Sequence, residues 1–348
     1  MEILKIDQPE ADTATTPATP VARPAAVPIP AVIAGEGPEA AERFLTFFTD
    51  TIRNPNTRAA YYRNARRFFH WCEGRGLALR QIKSYHISAY IEELSLTHEA
   101  PSVKQHLATI RMLFDWLILG QIVTVNPAQA VRGPKHVVKK GKTPVLSEDE
   151  ARDLLEGIPV LEVDQGTGLP DPKRPDLIGL RDRALIAVCL YSLARIEAAL
   201  GMDIEDYYPQ GKRWWFRLHE KGGKRHDMPA HHKAEEYVDA YLEAAGLWEQ
   251  KKEPIFRGAM GKTKRLSTKR MTRHAALKMI QRRAKKAGLL TAVCCHSFRA
   301  TGITNYLEHG GTLEKAQQMA AHESPKTTKL YDRTADAITL DEVERIAI

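Results

Sequence analysis

Residues 294–333 read CCHSFRATGITNYLEHGGTLEKAQQMAAHESPKTTKLYDR and carry the strongest signal in the chain. His296 and Arg299 stand three residues apart, His322 follows, and Tyr331 lies nine residues beyond His322. Each residue alone is more typical of a packing or surface position than of a site. Together they are typical of a centre that holds an anion and carries out acid–base or nucleophilic chemistry.

Two upstream segments extend this pattern. YSLARIEAAL (191–200) places Arg195 directly after a nearly all-apolar run, 184–194, which predicts a buried central helix. EKGGKRHDMP (220–229) places Lys221 beside a glycine pair that suits a tight turn, so strands are expected over 213–221 and 225–231. Arginine at two of these positions favours an oxyanion, because its paired N–H donors match two oxygens.

These four segments resemble the motifs of the tyrosine recombinases, the phage integrase family. HSFR resembles the family's H-x-x-R box, and AHESPKTTKLY resembles G-H-x-S-x-x-T-T-x-x-Y. The other two segments resemble its first arginine box and its hairpin box, G-K-G-x-K-x-R-x-V-P. Three neighbouring positions depart from the family pattern, since Ala194, Glu220 and Ala321 stand where glycine is usual.

The resemblance implies a role for each matching residue. Tyr331 is expected to attack phosphorus and form a 3′-phosphotyrosyl bond, while Arg195 and Arg299 hold the non-bridging oxygens. Lys221 is the expected general acid for the 5′ oxygen, with Lys224 as the alternative. The histidines, expected to titrate near neutrality, have separate roles: His296 accepts the tyrosine proton or bonds the phosphate, and His322 donates to a phosphate oxygen. No metal and no cofactor is expected.

The chain as a whole is predicted to be mainly α-helical, with a small antiparallel β-sheet. Residues 1–40 are rich in Pro, Ala and Thr, which predicts a disordered tail. Periodic apolar residues over 41–133 predict a helical domain, and the basic stretch 134–145 predicts a linker. The family resemblance implies that 41–133 is a core-binding, SAM-like domain and that 146–337 is the catalytic domain. The last segment, 338–348, is predicted to be a helix exchanged between protomers.

Local signals mark four helix starts. Asn54-Pro55 predicts a break before the second helix, and Ser102 is the expected N-cap of the fourth. Ser147, with a glutamate three residues later, predicts a capping box at the start of the second domain. Ser324-Pro325 predicts a short separate helix that carries Tyr331.

The formal net charge of +8 favours a polyanionic partner, either nucleic acid or an anionic membrane surface, and charge alone does not choose between them. No apolar run is long enough to span a bilayer and no secretory signal is evident, so a cytoplasmic, nucleoid-associated protein is expected. The basic helix faces and the linker supply the candidate DNA contacts. They are Arg63, Arg66, Arg67, Lys104, Arg111, Lys135, Lys139, Lys140, Lys278 and Arg282.

The family resemblance implies that the partner is double-stranded DNA with paired recombination sites, bound by a homotetramer. Leu340, Val343 and Ile346 lie at helical spacing and would dock on the next protomer. Two other functions remain open at this point. A type IB topoisomerase would share the tyrosine chemistry without site specificity, and an accessory DNA-binding factor would lack the chemistry.

Overall fold

The computed structural model describes residues 28–136, 141–220, 222–261 and 263–332. Most of the predicted tail, the predicted C-terminal helix, Lys139, Lys140 and Lys221 lie outside this part of the chain. The described residues divide into two compact units, which meet between Val137 and Val138 in the sequence. Each unit has its own hydrophobic core.

The first unit is helical throughout its regular elements. The predicted break at Asn54-Pro55 precedes a long helix, and the Asn54 side chain caps this helix by accepting from the backbone N–H groups of Asn56 and Thr57 at 2.9 and 3.2 Å. Ser102 is not an N-cap, because its helix begins two residues earlier, at Ala100, with Glu99 in the N-cap position. The helices are α1 (Ala31–Ala34), α2 (Pro38–Thr46, continued by a π-helical turn Phe47–Thr51), α3 (Pro55–Glu73), α4 (Ser84–Ser95) and α5 (Ala100–Leu119).

The boundary predicted between the tail and the first domain, at residue 40, lies too late in the sequence. Residues 28–40 are not disordered, because α1 and the start of α2 occupy them. Ile33 and Ala40 are fully buried in the core of the first unit, and Val32 is nearly so. The Pro- and Ala-rich composition conceals this short apolar segment, which is stabilised by packing against partners distant in sequence.

The second unit surrounds the apolar helix α7, whose residues from Ala184 to Leu190 are buried. Ser147 and Glu150 form the predicted capping box at the start of α6, with reciprocal hydrogen bonds of 3.1 and 2.9 Å. The helices are α6 (Glu148–Glu156), α7 (Leu177–Tyr191), α8 (Ile196–Gly201), α9 (His232–Ala245), α10 (Arg273–Lys286), α11 (Cys295–Glu308), α12 (Leu313–Met319) and α13 (Pro325–Lys329).

Small antiparallel sheets complete the second unit. The largest has the order β3-β4-β5, and Phe216 on the central strand pairs with Tyr207 on one side and Met228 on the other. The predicted hairpin is present, with strands that end two residues earlier than expected. The strands are β1 (Leu161–Val163), β2 (Pro170–Pro175), β3 (Tyr207–Gln210), β4 (Arg213–His219), β5 (Arg225–Pro229), β6 (Arg257–Ala259) and β7 (Leu266–Arg270).

The predicted fold class, mainly α with a small antiparallel sheet, is confirmed. Within the described part of the chain, no helix combines the length and the apolar character that crossing a membrane requires.

Candidate active site

Arg195 lies where the chain turns between two helices. Leu193, after the end of α7, adopts a left-handed backbone with φ of 54°, and Arg195 then caps α8 in an extended conformation. Its side chain is 31% exposed, and its Nη1 donates to a carboxylate oxygen of Glu220. Arg195 is therefore a partly solvent-accessible cation at the edge of the second unit's core.

Arg299, on α11, is buried and joins three separate segments. Its Nη1 donates to the carbonyl of Leu193 at 2.5 Å, and its Nη2 donates to the carbonyl of Ala320. Its Nε donates to Nε2 of His322 at 3.3 Å. Burial, and then the charge of Arg195, lower the pKa of Arg299 to about 10. The guanidinium stays charged at neutral pH and is fixed in position by these contacts.

His322 follows α12 and is also buried. Its Nδ1 lies 2.9 Å from Oγ1 of Thr328 on α13. Burial, with the charges of Arg299 and Arg195, lowers the pKa of His322 to about 3. The ring is therefore neutral at pH 7, and the expectation that it titrates near neutrality is wrong.

His296 lies in the first turn of α11 and is more accessible than His322. Its pKa is also lowered, first by partial desolvation and then by the charges of Arg299, Arg273 and Arg195. A neutral imidazole can accept a proton, so the local electrostatics favour a base at this position.

The prediction that a short helix carries Tyr331 is wrong, because α13 ends two residues before it, at Lys329. The tyrosine lies in the following turn, where its ring stacks on that of His322 with centroids 6.0 Å apart. Its carbonyl accepts from Oγ1 of Thr304 at 3.0 Å, and the preceding carbonyl, of Leu330, accepts from the N–H of Gly141 at 3.0 Å. Two contacts from distant segments therefore hold the turn that contains Tyr331 beside His322.

Glu220 belongs to this cluster and was missed as a functional residue. Its side chain is 3% exposed, and its Oε1 lies 3.8 Å from Nη1 of Arg299 while the other oxygen contacts Arg195. The signal available in the sequence was its departure from the glycine of the hairpin motif. A departure of this kind does not show where the side chain lies.

The hairpin turn after β4 contains both lysine candidates. Lys221 lies outside the described residues. Gly222 and Gly223 have φ of 84° and 78°, as the tight turn predicted from the glycine pair requires. Lys224 pairs with Glu323 at 3.1 Å, and both side chains are well exposed.

The candidate DNA-contact residues differ in how far their side chains are exposed and in their contacts within the protein. Arg111 is engaged within the first unit, where it donates to the carbonyls of Ala128 and Val131 and fixes the segment after α5. Its Nε and Nη2 are used in these contacts, and its part in DNA binding stays a prediction. Arg282 lies 3.5 Å from buried Asp182 but is about half exposed. The exposed candidates are Arg63, Arg66, Arg67, Lys104, Lys135 and Lys278.

The second unit thus assembles two guanidinium groups, two neutral imidazoles and a phenol from separate segments. Two fixed arginines can bind an oxyanion through paired donors, and a phenol beside a neutral imidazole can act as a nucleophile. Over the described ranges, no group of His, Cys, Asp and Glu side chains is arranged to hold a metal ion.

Comparison with known families gives two matches to this chain. The model of the phage integrase family matches residues 160–337, just over half of the chain. The model of the phage integrase N-terminal SAM-like domain matches residues 42–121.

Curated relatives include two bacterial tyrosine recombinases. XerD of Mycobacterium tuberculosis is 28% identical over 290 residues, which cover 79% of this chain and 86% of the relative. XerC of Vibrio atlanticus is 26% identical over 234 residues, which cover 67% of each protein.

Solved structures show the same fold at low sequence identity. The XerH site-specific recombinase, bound to a palindromic difH substrate after cleavage, is 17% identical with a TM-score of 0.64, covering 83% of this chain and 79% of that one. A lambda integrase dimer on a core site is 18% identical with a TM-score of 0.60, covering 86% of this chain and 77% of that one.

Proposed function

The chain belongs to the phage integrase family, and we propose that it is a site-specific DNA recombinase that cuts and rejoins DNA through Tyr331. The observation that carries the proposal is the grouping of Arg195, Arg299, His322 and Tyr331 within the second unit. Arg299 and the Tyr331 ring each contact His322, although they come from different segments. A packing role for each residue alone would not require the four to meet.

The two arginines bind the scissile phosphate in the proposed reaction. A phosphodiester resists attack because its anionic oxygens repel the nucleophile, and further charge develops on them in the transition state. Arg195 and Arg299 offset that charge by donating to the two non-bridging oxygens. Arg299 is held by the carbonyls of Leu193 and Ala320, so its orientation is fixed before DNA binds.

Tyr331 supplies the nucleophile. Its phenolic oxygen forms a bond to phosphorus, the bond from phosphorus to the 5′ oxygen breaks, and the phenolic proton passes to neutral His296. Lys221 protonates the departing 5′ oxygen. The phosphotyrosyl ester retains the bond energy, so a second 5′ hydroxyl reverses the step without ATP and produces Holliday-junction strand exchange.

His322 orients the phosphate in this scheme. Its Nε2 accepts from Arg299 in the DNA-free protein, at 3.3 Å. To donate to a phosphate oxygen, the neutral ring has to release that contact and carry its proton on Nε2 instead of Nδ1, and Nδ1 then accepts from the hydroxyl of Thr328. Phosphate binding therefore exchanges the hydrogen bond from Arg299 for one to the phosphate, and it frees a donor of Arg299 for the same anion.

The DNA substrate would be a pair of recombination sites bound by four protomers. Exposed basic residues on α3, α5 and α10 supply phosphate contacts in this arrangement. A cleft of about 770 Å³ in the second unit has Leu155, Leu190 and Met319 in its lining and would accept the apolar helix predicted over 338–348 of the next protomer. A lambda integrase, related in fold, has been solved as a tetramer on a Holliday junction.

Covalent trapping tests the proposal. A nicked duplex releases a short strand after cleavage, so the protein stays attached to the DNA and migrates slowly on a denaturing gel. The wild-type protein should form this adduct on a site selected from a randomised library, and Tyr331→Phe should not. Tyr306→Phe, another tyrosine of the same unit, serves as the matched control and should retain the adduct.

Two other outcomes would contradict the proposal. Relaxation of plasmids that lack any selected site would indicate a type IB topoisomerase. Binding without any adduct from the wild-type protein would indicate an accessory DNA-binding factor.

A further inference from the structure

Glu220 places a buried carboxylate between the two arginines, and the proposed chemistry does not use it. Its Oε2 contacts Nη1 of Arg195, and its Oε1 lies 3.8 Å from Nη1 of Arg299. Only 3% of the side chain is exposed. Burying a carboxylate is costly unless cations pair with it, so the two guanidinium groups are what keep it in this position.

The contacts of Glu220 match those proposed for the scissile phosphate. A carboxylate and a phosphodiester are both monoanions whose charge is shared by two oxygens, and arginine N–H pairs bind both. In this structure one oxygen of the carboxylate faces each arginine.

Arg299 has little capacity to bind both anions at once. It already donates to Leu193, Ala320 and His322, which leaves few of its five N–H groups for an anion. A phosphate entering between the arginines would therefore compete with the carboxylate for the donor of Arg195 and for the positive charge of Arg299. It would also be repelled by the negative charge of that carboxylate.

We infer that Glu220 is an internal substitute for the scissile phosphate, which occupies the arginine pair until DNA displaces it. The inference rests on the proposed function, because it takes the arginine pair as the phosphate site. The glycine usual at this position in the family motif has no side chain to take that place, so this control is a property of the present chain.

The position of Glu220 links its release to the hairpin. Its N–H donates to the carbonyl of Lys224 at 2.8 Å, and its carbonyl accepts from Gly223 at 3.2 Å, so its backbone forms part of the turn after β4. The next residue is Lys221, the proposed general acid. Because the backbone of Glu220 is part of this turn, a movement of the turn would withdraw the carboxylate and open the phosphate site.

A direct test measures the binding of inorganic phosphate to the full-length protein without DNA, by titration followed through ³¹P line broadening. Glu220→Gln removes the charge at nearly constant volume and should bind phosphate about tenfold more tightly than the wild type, which is the order of one hydrogen-bonded charge pair. Glu220→Gly empties the position, should show at least the same gain, and provides the test if the glutamine variant does not fold.

Two further variants make the result specific. Glu162→Gln removes a carboxylate that pairs with Arg174 at the surface and should bind phosphate as the wild type does. Adding Arg195→Ala to Glu220→Gln should abolish the gain, because the gained phosphate is held by the arginine pair.

The possible failures can be told apart. Phosphate binding that depends on Arg195 but is unchanged or weakened in both Glu220 variants would overturn the inference and leave the proposed function standing, with Glu220 only positioning the arginines. Phosphate binding that is independent of Arg195 in every variant would contradict the arginine pair as a phosphate site, and with it the proposed function.

Discussion

Arg299 is the residue on which the centre depends most, because one guanidinium group connects α11 to the segments that follow α7 and α12. It contacts the carbonyls of Leu193 and Ala320 and the ring of His322. Lysine keeps the charge but is a single point donor, so it cannot replace a planar group with donors in several directions.

Arg299→Lys should therefore lower both stability and activity. Carbonyls left without a donor in a buried site are expected to cost about 1–3 kcal/mol of the free energy of unfolding. Adduct formation should fall at least about a hundredfold, the order found when one preorganised donor is removed. Chemical denaturation and gel trapping measure the two effects. Arg152→Lys, at an exposed pair with Asp149, is the control for stability and should change it little.

His322 provides a second test at this scale, through its ionisation. Because its pKa in the folded protein is about 3, against 6.5 for an unperturbed histidine, the folded state keeps the ring neutral. The stabilisation linked to this neutral ring is complete above pH 6.5 and is lost as the pH falls toward 3, since the unfolded chain binds the proton first.

An NMR titration of the ring nitrogens should show no protonation of His322 between pH 8 and pH 5 in the folded protein. In urea the same ring should titrate near its ordinary value. A midpoint between pH 6 and pH 7 in the folded protein would contradict the buried, cation-flanked environment described here.

At the scale of elements, the end of α12 positions His322. Ala321 adopts a left-handed backbone with φ of 45°, and its N–H donates to the backbone carbonyl of Gln318 at 2.9 Å. The backbone N–H of His322 donates to the backbone carbonyl of Gln317 at 3.1 Å. This is the helix termination that glycine forms without strain, and glycine is the residue that the family motif has there.

Ala321→Gly should raise the free energy of unfolding by up to about 1 kcal/mol, since relief of the left-handed alanine exceeds the added freedom of the unfolded chain. Ala316→Gly, in the buried interior of the same helix, should lower it by about 1 kcal/mol. Thermal and urea denaturation measure both changes. Equal losses in the two variants would show that the left-handed conformation at Ala321 is unstrained.

The helix starts that were predicted correctly have local causes. Asn54 and Ser147 each bond backbone groups two or three residues away, so a short window contains the whole interaction. The burial of Ile33 and the engagement of Arg111 depend on partners far along the chain. The lowered pKa of His322 likewise requires knowing which charges surround it.

The site could be predicted only as a set of residues. The four motifs identify which side chains matter, but the stacking of Tyr331 on His322 follows from turns that no motif describes. Glu220 could be seen in the sequence only as a departure from a motif. Such a departure does not reveal that the carboxylate of Glu220 lies against both arginines.

At the scale of the whole molecule, the proposed tetramer depends on the last residues of the chain. Deleting residues 338–348 should leave the affinity for a single site unchanged, because all the proposed contacts to DNA precede this segment in the sequence. The same deletion should abolish tetramers on paired sites and recombination between them, as measured by native gel shift and by plasmid recombination. Recombination at the wild-type rate would contradict the exchange of this segment between protomers.

The identity of the nucleophile is the central claim, and mass spectrometry of the trapped adduct tests it most directly. Trypsin cleaves after Lys329 and Arg333, so the peptide 330–333, sequence LYDR, carries Tyr331 as its one hydroxylated aromatic residue. After nuclease digestion, this peptide should bear a nucleotide 3′-phosphate, with fragmentation that places it on Tyr331. A nucleotide found on any other peptide, or an adduct whose LYDR peptide is unmodified, would contradict the account.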